Sequence, residues 1–343
     1  MVSPSIPIEN IYFLLSYAWD SLPEAELTGV RPDASLRLHD LFARLLVGGV
    51  THLLKRGLQR EYAAVSVEQS SIRGRLEISE SVKHASFERS RAWCSYDELG
   101  PDTPANRILK TTLRELARVE GLDPRLAAEL REVYRRVPGV SEIVIDSKCF
   151  RRFTLGSQAR FYRFLLTVCE LIHENLFVHE QTGETRFRDF TRDDKKMRKL
   201  FERFLFRFYE KEQIAYSVDR PRLKWAATGS PDALARLPDM RTDIVLRSDT
   251  ATIVADAKFY AETLTTYFDK RSIRSEHLYQ LTAYLRHVAR PSSEVRGLLI
   301  YPRTTEDARI DVTLEGFPVR IATVNLAQAP ATIRRELLSL IDS

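Results

Sequence analysis

The sequence predicts a mixed α/β protein (α+β / α/β) built from two domains. At 343 residues, 44% of them hydrophobic, the chain is long enough to bury two cores. The C-terminal half alternates helical and strand patterning, whereas helical periodicity around a few short apolar runs dominates the N-terminal half. Ile8, Ile11, Leu15 and Ala18 recur at helical spacing while Tyr12, Phe13 and Trp19 fill the other sides, so the first helix is apolar nearly all round. Such a helix is either buried in its domain core or docked on another protein. A helix over Leu38–Leu58 and a strand over Ala63–Glu68 follow. Arg73-Gly74-Arg75 then marks a tight turn that presents two guanidinium groups. Those arginines serve either ordinary surface ion pairs or a partner subunit. Helices over Pro104–Glu120 and Pro124–Arg136 begin at proline, Pro138-Gly139 stops the second, and Glu142–Ile145 reads as an apolar strand. The first domain is expected to span residues 1–165 and the second residues 166–343.

The second domain carries the sharpest signal. After a helix over Asp194–Glu212 and a strand over Ile214–Asp219, two β-branched runs, Thr242–Leu246 and Ala251–Lys258, flank the polar turn Arg247-Ser248-Asp249-Thr250. Asp243 opens the first run and Asp256-Ala257-Lys258 closes the second. Side chains alternate along a strand, so Asp256 and Lys258 project from one face, and a partner strand led by Asp243 can bring its carboxylate beside them. Two carboxylates are the minimal oxygen set for Mg²⁺, which fills its remaining positions with water and substrate phosphate. A neighbouring lysine can orient or help deprotonate a water and offset charge developing on the phosphate. A helix over Glu276–Val288 and an apolar strand over Val295–Tyr301 complete the run, with Gln280 and Tyr284 four residues apart on one helix face. Alone, Asp-x-Lys is short enough to recur by chance at solvated strand ends. Its weight here comes from the Asp-led strand before it and the Gln-xxx-Tyr helix after it.

These residues resemble the active site of the PD-(D/E)xK nuclease superfamily, whose core runs helix, strand, catalytic hairpin, helix, strand. The resemblance implies a C-terminal PD-(D/E)xK (restriction-endonuclease-like) domain with Asp243, Asp256 and Lys258 catalytic and the two aspartates holding Mg²⁺. Glu202 stands where some members place another acidic ligand, and Gln280 and Tyr284 would support the site. One departure is Thr242, where a proline commonly precedes the first aspartate; Pro231-Asp232 and Pro238-Asp239 lie in a loop-like stretch upstream.

Over nearly its whole length the chain is also similar to the McrC family, the nuclease subunits of McrBC-type methylation-dependent restriction systems. The segment from Ile6 to Trp19 carries this likeness, followed by Ile72–Leu76, Asp102–Lys110, Phe161–Phe164, Leu223-Lys224-Trp225, Leu278–Leu281, Gly297–Pro302 and Thr323–Leu326. This resemblance implies a separate McrB-like AAA+ GTPase ring that reads 5-methylcytosine and uses GTP, while this chain stimulates that GTPase and cuts methylated double-stranded DNA. The N-terminal mixed α/β domain would then be the partner-binding and activating part, with Arg73 and Arg75 as candidate contacts.

Charge and composition fit that expectation. A net charge of +5 permits a polyanionic partner, although basic and acidic residues are interspersed. The clusters Lys195-Lys196 with Arg198 and Lys199, and Lys270-Arg271 with Arg274, flank the proposed core. Lys195, Lys196, Lys199, Arg271 and Arg274 are therefore candidate contacts to the DNA backbone. A third cluster, Arg151-Arg152 with Arg160 and Arg163, lies near the domain boundary. Cys94, Cys149 and Cys169 lack paired spacing and read as reduced thiols, and His173-Glu174 with His179 does not make a zinc-peptidase motif. No Gly-xxxx-Gly-Lys-Ser/Thr loop is present, so this chain is expected to bind no nucleotide itself. With no membrane-length apolar run and no secretory pattern, a cytoplasmic protein without membrane contact is expected. Two other functions compete: a non-catalytic GTPase-activating adaptor with a nuclease-like fold, and a stand-alone DNA repair nuclease. Retention of Asp243, Asp256 and Lys258 argues against the adaptor.

Overall fold

A computed structural model describes residues 6–20, 37–151, 159–178, 185–259, 265–267, 270–289, 294–303 and 307–342. The chain divides into two compact units, one formed by α1 (Ile8–Ala18) with residues 189–343, the other by residues 37–188. The boundary expected at residue 165 thus falls instead after Arg188. Residue 165 lies inside a helix, and its side chain is committed to a partner: a Cβ on Gly49 would sit 2.3 Å from Leu165 Cδ2. The first helix is buried, but in the unit of the C-terminal half rather than in an N-terminal core.

In the unit of residues 37–188, α2 (Leu38–Arg56) leads to β1 (Glu61–Gln69), β2 (Arg75–Leu76), α3 (Ile78–Lys83) and β3 (Ala92–Gly100). The three strands form an antiparallel sheet in the order β1-β3-β2. Then come α4 (Pro104–Leu116), α5 (Pro124–Arg135), α6 (Ala159–Asn175) and the small hairpin of β4 (Leu176–Val178) and β5 (Thr185–Phe187). Thr103 and Asp123 cap α4 and α5 by accepting backbone N–H groups, and proline opens each helix where no donor is needed. The stretch Glu142–Ile145, expected as a strand, is irregular. Its backbone is held by side chains instead: the Ser141 amide donates to Asp102 at 2.8 Å and the Ile143 amide to Thr111 at 3.1 Å, while Val144 is 93% exposed.

The other unit continues from α7 (Asp194–Glu212) through β6 (Ser217–Asp219), β7 (Arg222–Leu223), α8 (Pro231–Ala235), β8 (Met240–Arg241), β9 (Ile244–Arg247) and β10 (Ala251–Ala257). It ends with β11 (Thr265–Tyr267), β12 (Lys270–Ser272), α9 (Ser275–Val288), β13 (Glu294–Pro302), β14 (Arg309–Leu314), β15 (Phe317–Val324) and α10 (Pro330–Ile341). Six strands form one sheet in the order β14-β15-β13-β10-β9-β6, with β10, β13 and β15 parallel and the β9–β10 hairpin antiparallel. The strand expected from Ile214 starts only at Ser217. Gln213 closes a turn by exchanging hydrogen bonds with the backbone of Tyr216 at 2.8 and 2.9 Å, which leaves Ile214 in solvent.

Helices cover both faces of this sheet. On one side Leu281, Tyr284, Leu285 and Val288 of α9 pack on Val245, Val254, Val295, Leu299, Val319 and Ile321. On the other, Phe259 meets Phe201 of α7 with ring centroids 5.9 Å apart, and the Tyr209 hydroxyl of α7 donates to the Leu337 carbonyl of α10. Phe13 and Tyr17 of α1 fit edge-on against Phe204 at 5.5 and 5.7 Å. The Asn10 amide fastens α1 further by donating to the Leu326 and Gln328 carbonyls at 2.6 and 2.8 Å. Among the described residues no helix is long and apolar enough to cross a membrane. Cys94 and Cys169 are buried free thiols and Cys149 is half-buried.

Gly297 on β13 allows α9 its close approach, because a Cβ there would lie 2.8 Å from Leu281 and 3.1 Å from Leu285. Gly297→Ala is therefore expected to destabilise the fold by about 1–3 kcal/mol through overpacking. Calorimetry would register this as a melting temperature several degrees lower; an unchanged one would show that α9 shifts freely.

Candidate active site

The β9–β10 register pairs Ala255 with Ile244, so Asp243 and Asp256 stand opposite each other where the hairpin ends. Residues opposite each other in an antiparallel pair share a face, and Lys258, two residues on, shares it too. That face is the one covered by α9. The Ala257 amide donates to Asp243 Oδ2 at 2.9 Å, which fixes the carboxylate, and the Lys258 amide donates to the Ile300 carbonyl at 2.9 Å, which extends the sheet contact past Asp256.

Asp256 is only 1% exposed, and Lys258 Nζ lies 2.7 Å from its Oδ2. Neither carboxylate oxygen accepts a well-aligned hydrogen bond. Burial, and next the Asp243 charge, push the Asp256 carboxyl up to about 7, against the opposing pull of Lys258. Burial likewise raises Asp243. The Lys258 ammonium also donates to Gln280 Oε1 at 2.8 Å, Gln280 Nε2 donates to the Tyr284 hydroxyl at 2.7 Å, and that hydroxyl donates to the Arg241 carbonyl at 2.7 Å. A continuous relay therefore runs from the lysine along α9 and back to the strand before Asp243.

Glu202 of α7 stands behind this group and pairs with Arg220, whose Nη1 is 3.4 Å from Glu202 Oε1 and whose Nη2 donates to the Glu202 carbonyl at 2.9 Å. Burial raises Glu202, and the Asp243 charge raises it further. Sequence reasoning missed Arg220, which lies flat over Phe206 with its guanidinium 4.2 Å from the ring centroid. Its only sequence signal is a basic residue directly after a short strand. His277 was also passed over; its Nδ1 is 2.8 Å from the Tyr301 hydroxyl, and burial, then the Lys258 charge, lower its pKa to about 4.

Among the described residues no set of three or more His, Cys, Asp and Glu side chains is placed to hold a metal unaided. Two hard oxygen donors with unsatisfied lone pairs are nevertheless a fit for a cation that brings its own water, the habit of Mg²⁺. The remaining candidates are distributed more widely. Lys195 and Lys199 precede Glu202 by seven and three residues and so share its face of α7, both exposed; Lys196 lies to one side and is half-buried. Arg274 is the N-cap of α9, and Arg271 lies on β12 with its side chain outside the described residues; Arg152 lies outside them entirely. Arg73 and Arg75 belong to the other unit. Gly74 between them has φ +72°, and a Cβ there would clash with the Ser95 carbonyl at 2.4 Å, so the turn demands glycine. Arg73 stacks on Tyr96 at 4.2 Å, while Arg75 is 83% exposed with its Nε 3.9 Å from Glu77.

The family model described as McrBC 5-methylcytosine restriction system component matches residues 9–302, a span that contains all of these side chains. The chain belongs to the McrBC family. It is 33% identical over 344 residues to the Type IV methyl-directed restriction enzyme EcoKMcrBC of Escherichia coli strain K12, a match covering 100% of this chain and 99% of that protein. Its fold is similar to a chain of the refined half-complex from a tetradecameric assembly of Thermococcus gammatolerans McrB AAA+ hexamers with bound McrC. That match has a TM-score of 0.56 and 20% identity, over 96% of this chain and 76% of the other. In this McrBC-family chain the matched span stops short of α10, so the site and its supports precede the last helix.

The raised Asp256 carboxyl makes a signed prediction. Below the ordinary aspartate range both folded and unfolded states hold the proton. As pH rises toward about 7 the unfolded chain releases it first, so this residue subtracts stability progressively up to that pH and fully above it. Metal-free Asp256→Asn is thus expected to melt higher than the native chain at pH 8 and nearly the same at pH 4, with added Mg²⁺ closing the gap by stabilising only the native protein. Parallel melting curves that show no growth of the gap with pH would remove the buried-charge account.

Proposed function

We propose that this chain is the DNA-cutting subunit of a modification-dependent restriction complex, its C-terminal unit a PD-(D/E)xK endonuclease acting with Mg²⁺ on methylated double-stranded DNA. The observation that carries the reading is the placement of Asp243 across from Asp256, with Lys258 reaching from the same face to both Asp256 and Gln280. Membership of the McrBC family, and a full-length relative that is a methyl-directed restriction enzyme, support the same function.

Asp243 and Asp256 would hold the metal, which supplies Lewis-acid polarisation of the phosphate. The protein's own part is positional and electrostatic. Asp243 is aimed by the Ala257 amide, and the Lys258 ammonium is held at a fixed place between a carboxylate and an amide oxygen, from which it can orient the attacking water, whose proton passes to bulk solvent. Attack at phosphorus forms one P–O bond and breaks another, and the ammonium beside it offsets the negative charge that gathers on the phosphate oxygens. Gln280 and Tyr284 act on the lysine by restricting its rotamers. Lys195, Lys196, Lys199 and Arg274 would follow the backbone beyond the cut phosphate.

The unit of residues 37–188 is the proposed binding and activating part for a McrB-like AAA+ GTPase, with Arg73 and Arg75 at a glycine turn as candidate contacts. The relative solved with McrB AAA+ hexamers supports a fold suited to such an assembly. GTP then belongs to the partner. The test combines this chain, its AAA+ partner, GTP, Mg²⁺ and methylated or unmethylated plasmid. Asp243→Asn and Asp256→Asn are expected to abolish cutting and Lys258→Ala to slow it by roughly 10²–10⁴-fold, all three still stimulating GTP hydrolysis. Cutting that survives Asp256→Asn would overturn the site, and stimulation without cutting by the native chain would make it an adaptor.

A further inference from the structure

The segment between β7 and β8 forms a second concave site, a cavity of about 500 Å³ lined by Lys224, Trp225, Leu234, Leu237, Pro238 and Asp239. Trp225 is 45% exposed, an unusual position for the largest apolar side chain. It is not loosely placed, because its indole N–H donates to the Pro238 carbonyl at 2.7 Å and its ring stands edge-on to His287 with centroids 6.0 Å apart. The Ala226 amide donates to His287 Nε2 at 3.4 Å, so the segment is seated on α9 at two points.

The place of that seat on α9 gives the cavity its meaning. Gln280, Tyr284 and His287 follow the spacing i, i+4, i+7 and therefore share one face of the helix. The residue that receives Lys258 and the residue that supports Trp225 thus face the same way, separated along the axis by about 10 Å at 1.5 Å per residue. One DNA strand advances about 3.4 Å per nucleotide, so a strand running along this face of α9 would pass from Gln280 to His287 in roughly three nucleotides. Lys224 and Asp239 are the charged residues that line the cavity, and Arg222, Arg236 and Arg241 of the adjoining chain are exposed, Arg222 with its Nη1 4.0 Å from Asp239 Oδ2. With its N–H already used, the indole can offer only its apolar surface, which on a duplex can lie against the deoxyribose of the backbone and reads no base edge.

We propose that Trp225 and Lys224 form a sequence-independent DNA-contact site, Trp225 packing on a nucleotide about three steps from the cut and Lys224 pairing with its phosphate. The proposal rests on the nuclease reading of Asp243, Asp256 and Lys258 and extends it to the substrate's path along α9.

The test uses the full-length chain, a fluorescein-labelled duplex oligonucleotide and Ca²⁺ to prevent cutting. Anisotropy is expected to show Trp225→Ala binding about ten-fold more weakly than native and Trp225→Phe within about two-fold of it, from the apolar area lost. In a chain carrying Trp19→Phe and Trp93→Phe, DNA is expected to quench the remaining Trp225 emission. Equal affinities for native and Trp225→Ala, absence of duplex binding by the native chain, or quenching by the AAA+ partner and not by DNA would each overturn the proposal. Cleavage assays of Asp243→Asn in parallel separate the two readings. If that variant still cuts, the active-site reading fails; if it is inactive while Trp225→Ala binds and cuts like native, only the contact site fails.

Discussion

Pairing β9 with β10 in a register that sets Ala255 against Ile244 forces two like charges together, a half-buried Asp243 and an Asp256 almost closed to water. Left alone, such a pair would hold protons or pull the hairpin apart. Lys258 answers the repulsion from two residues along the same strand, and Arg220 answers it from behind Glu202. The sheet makes the arrangement rigid: β10 is flanked by β9 on one side and β13 on the other, so Asp256 cannot move away without breaking ladder hydrogen bonds, and Asp243 is held by the Ala257 amide.

The helix α9 closes over that strand-end cluster. One face of it carries Gln280 and Tyr284 over the aspartates and His287 beneath Trp225, while its apolar residues hold it against the sheet at the spacing Gly297 permits. Packing and chemistry are thus supplied by one element. The hydroxyl of Tyr284 sits at their junction, bonded both to Gln280 and to the backbone that leads into Asp243.

Most of the C-terminal core could be read from the sequence because its signals are local. The alternation in Ala251–Lys258, the helical pair Gln280 and Tyr284, and the apolar run Val295–Tyr301 each name their own structure. What failed were segments whose fate depends on distant partners. Glu142–Ile145 has strand-like residues but its Ile143 amide finds the Thr111 hydroxyl of α4 rather than a neighbouring strand, and Ile214 lies in a turn closed by Gln213. The domain boundary was hidden for a related reason, since nothing in residues 8–18 reveals that the helix they form is packed with residues some two hundred positions later. Arg220 escaped notice because its significance lies in a cation–ring stack and a salt bridge that only tertiary structure assembles.

The seating of α1 among α7 and the sheet strands has a consequence for how the protein comes into being. Its partners are synthesised only after the whole unit of residues 37–188 has emerged, so the inserted unit has every contact it needs while the first helix still waits for Phe204, Leu326 and Gln328. Contacts of such long sequence separation form slowly and late. The unit that holds Asp243 and Asp256 therefore closes after the other, and a growing chain can acquire its inserted unit before it has the means to cut.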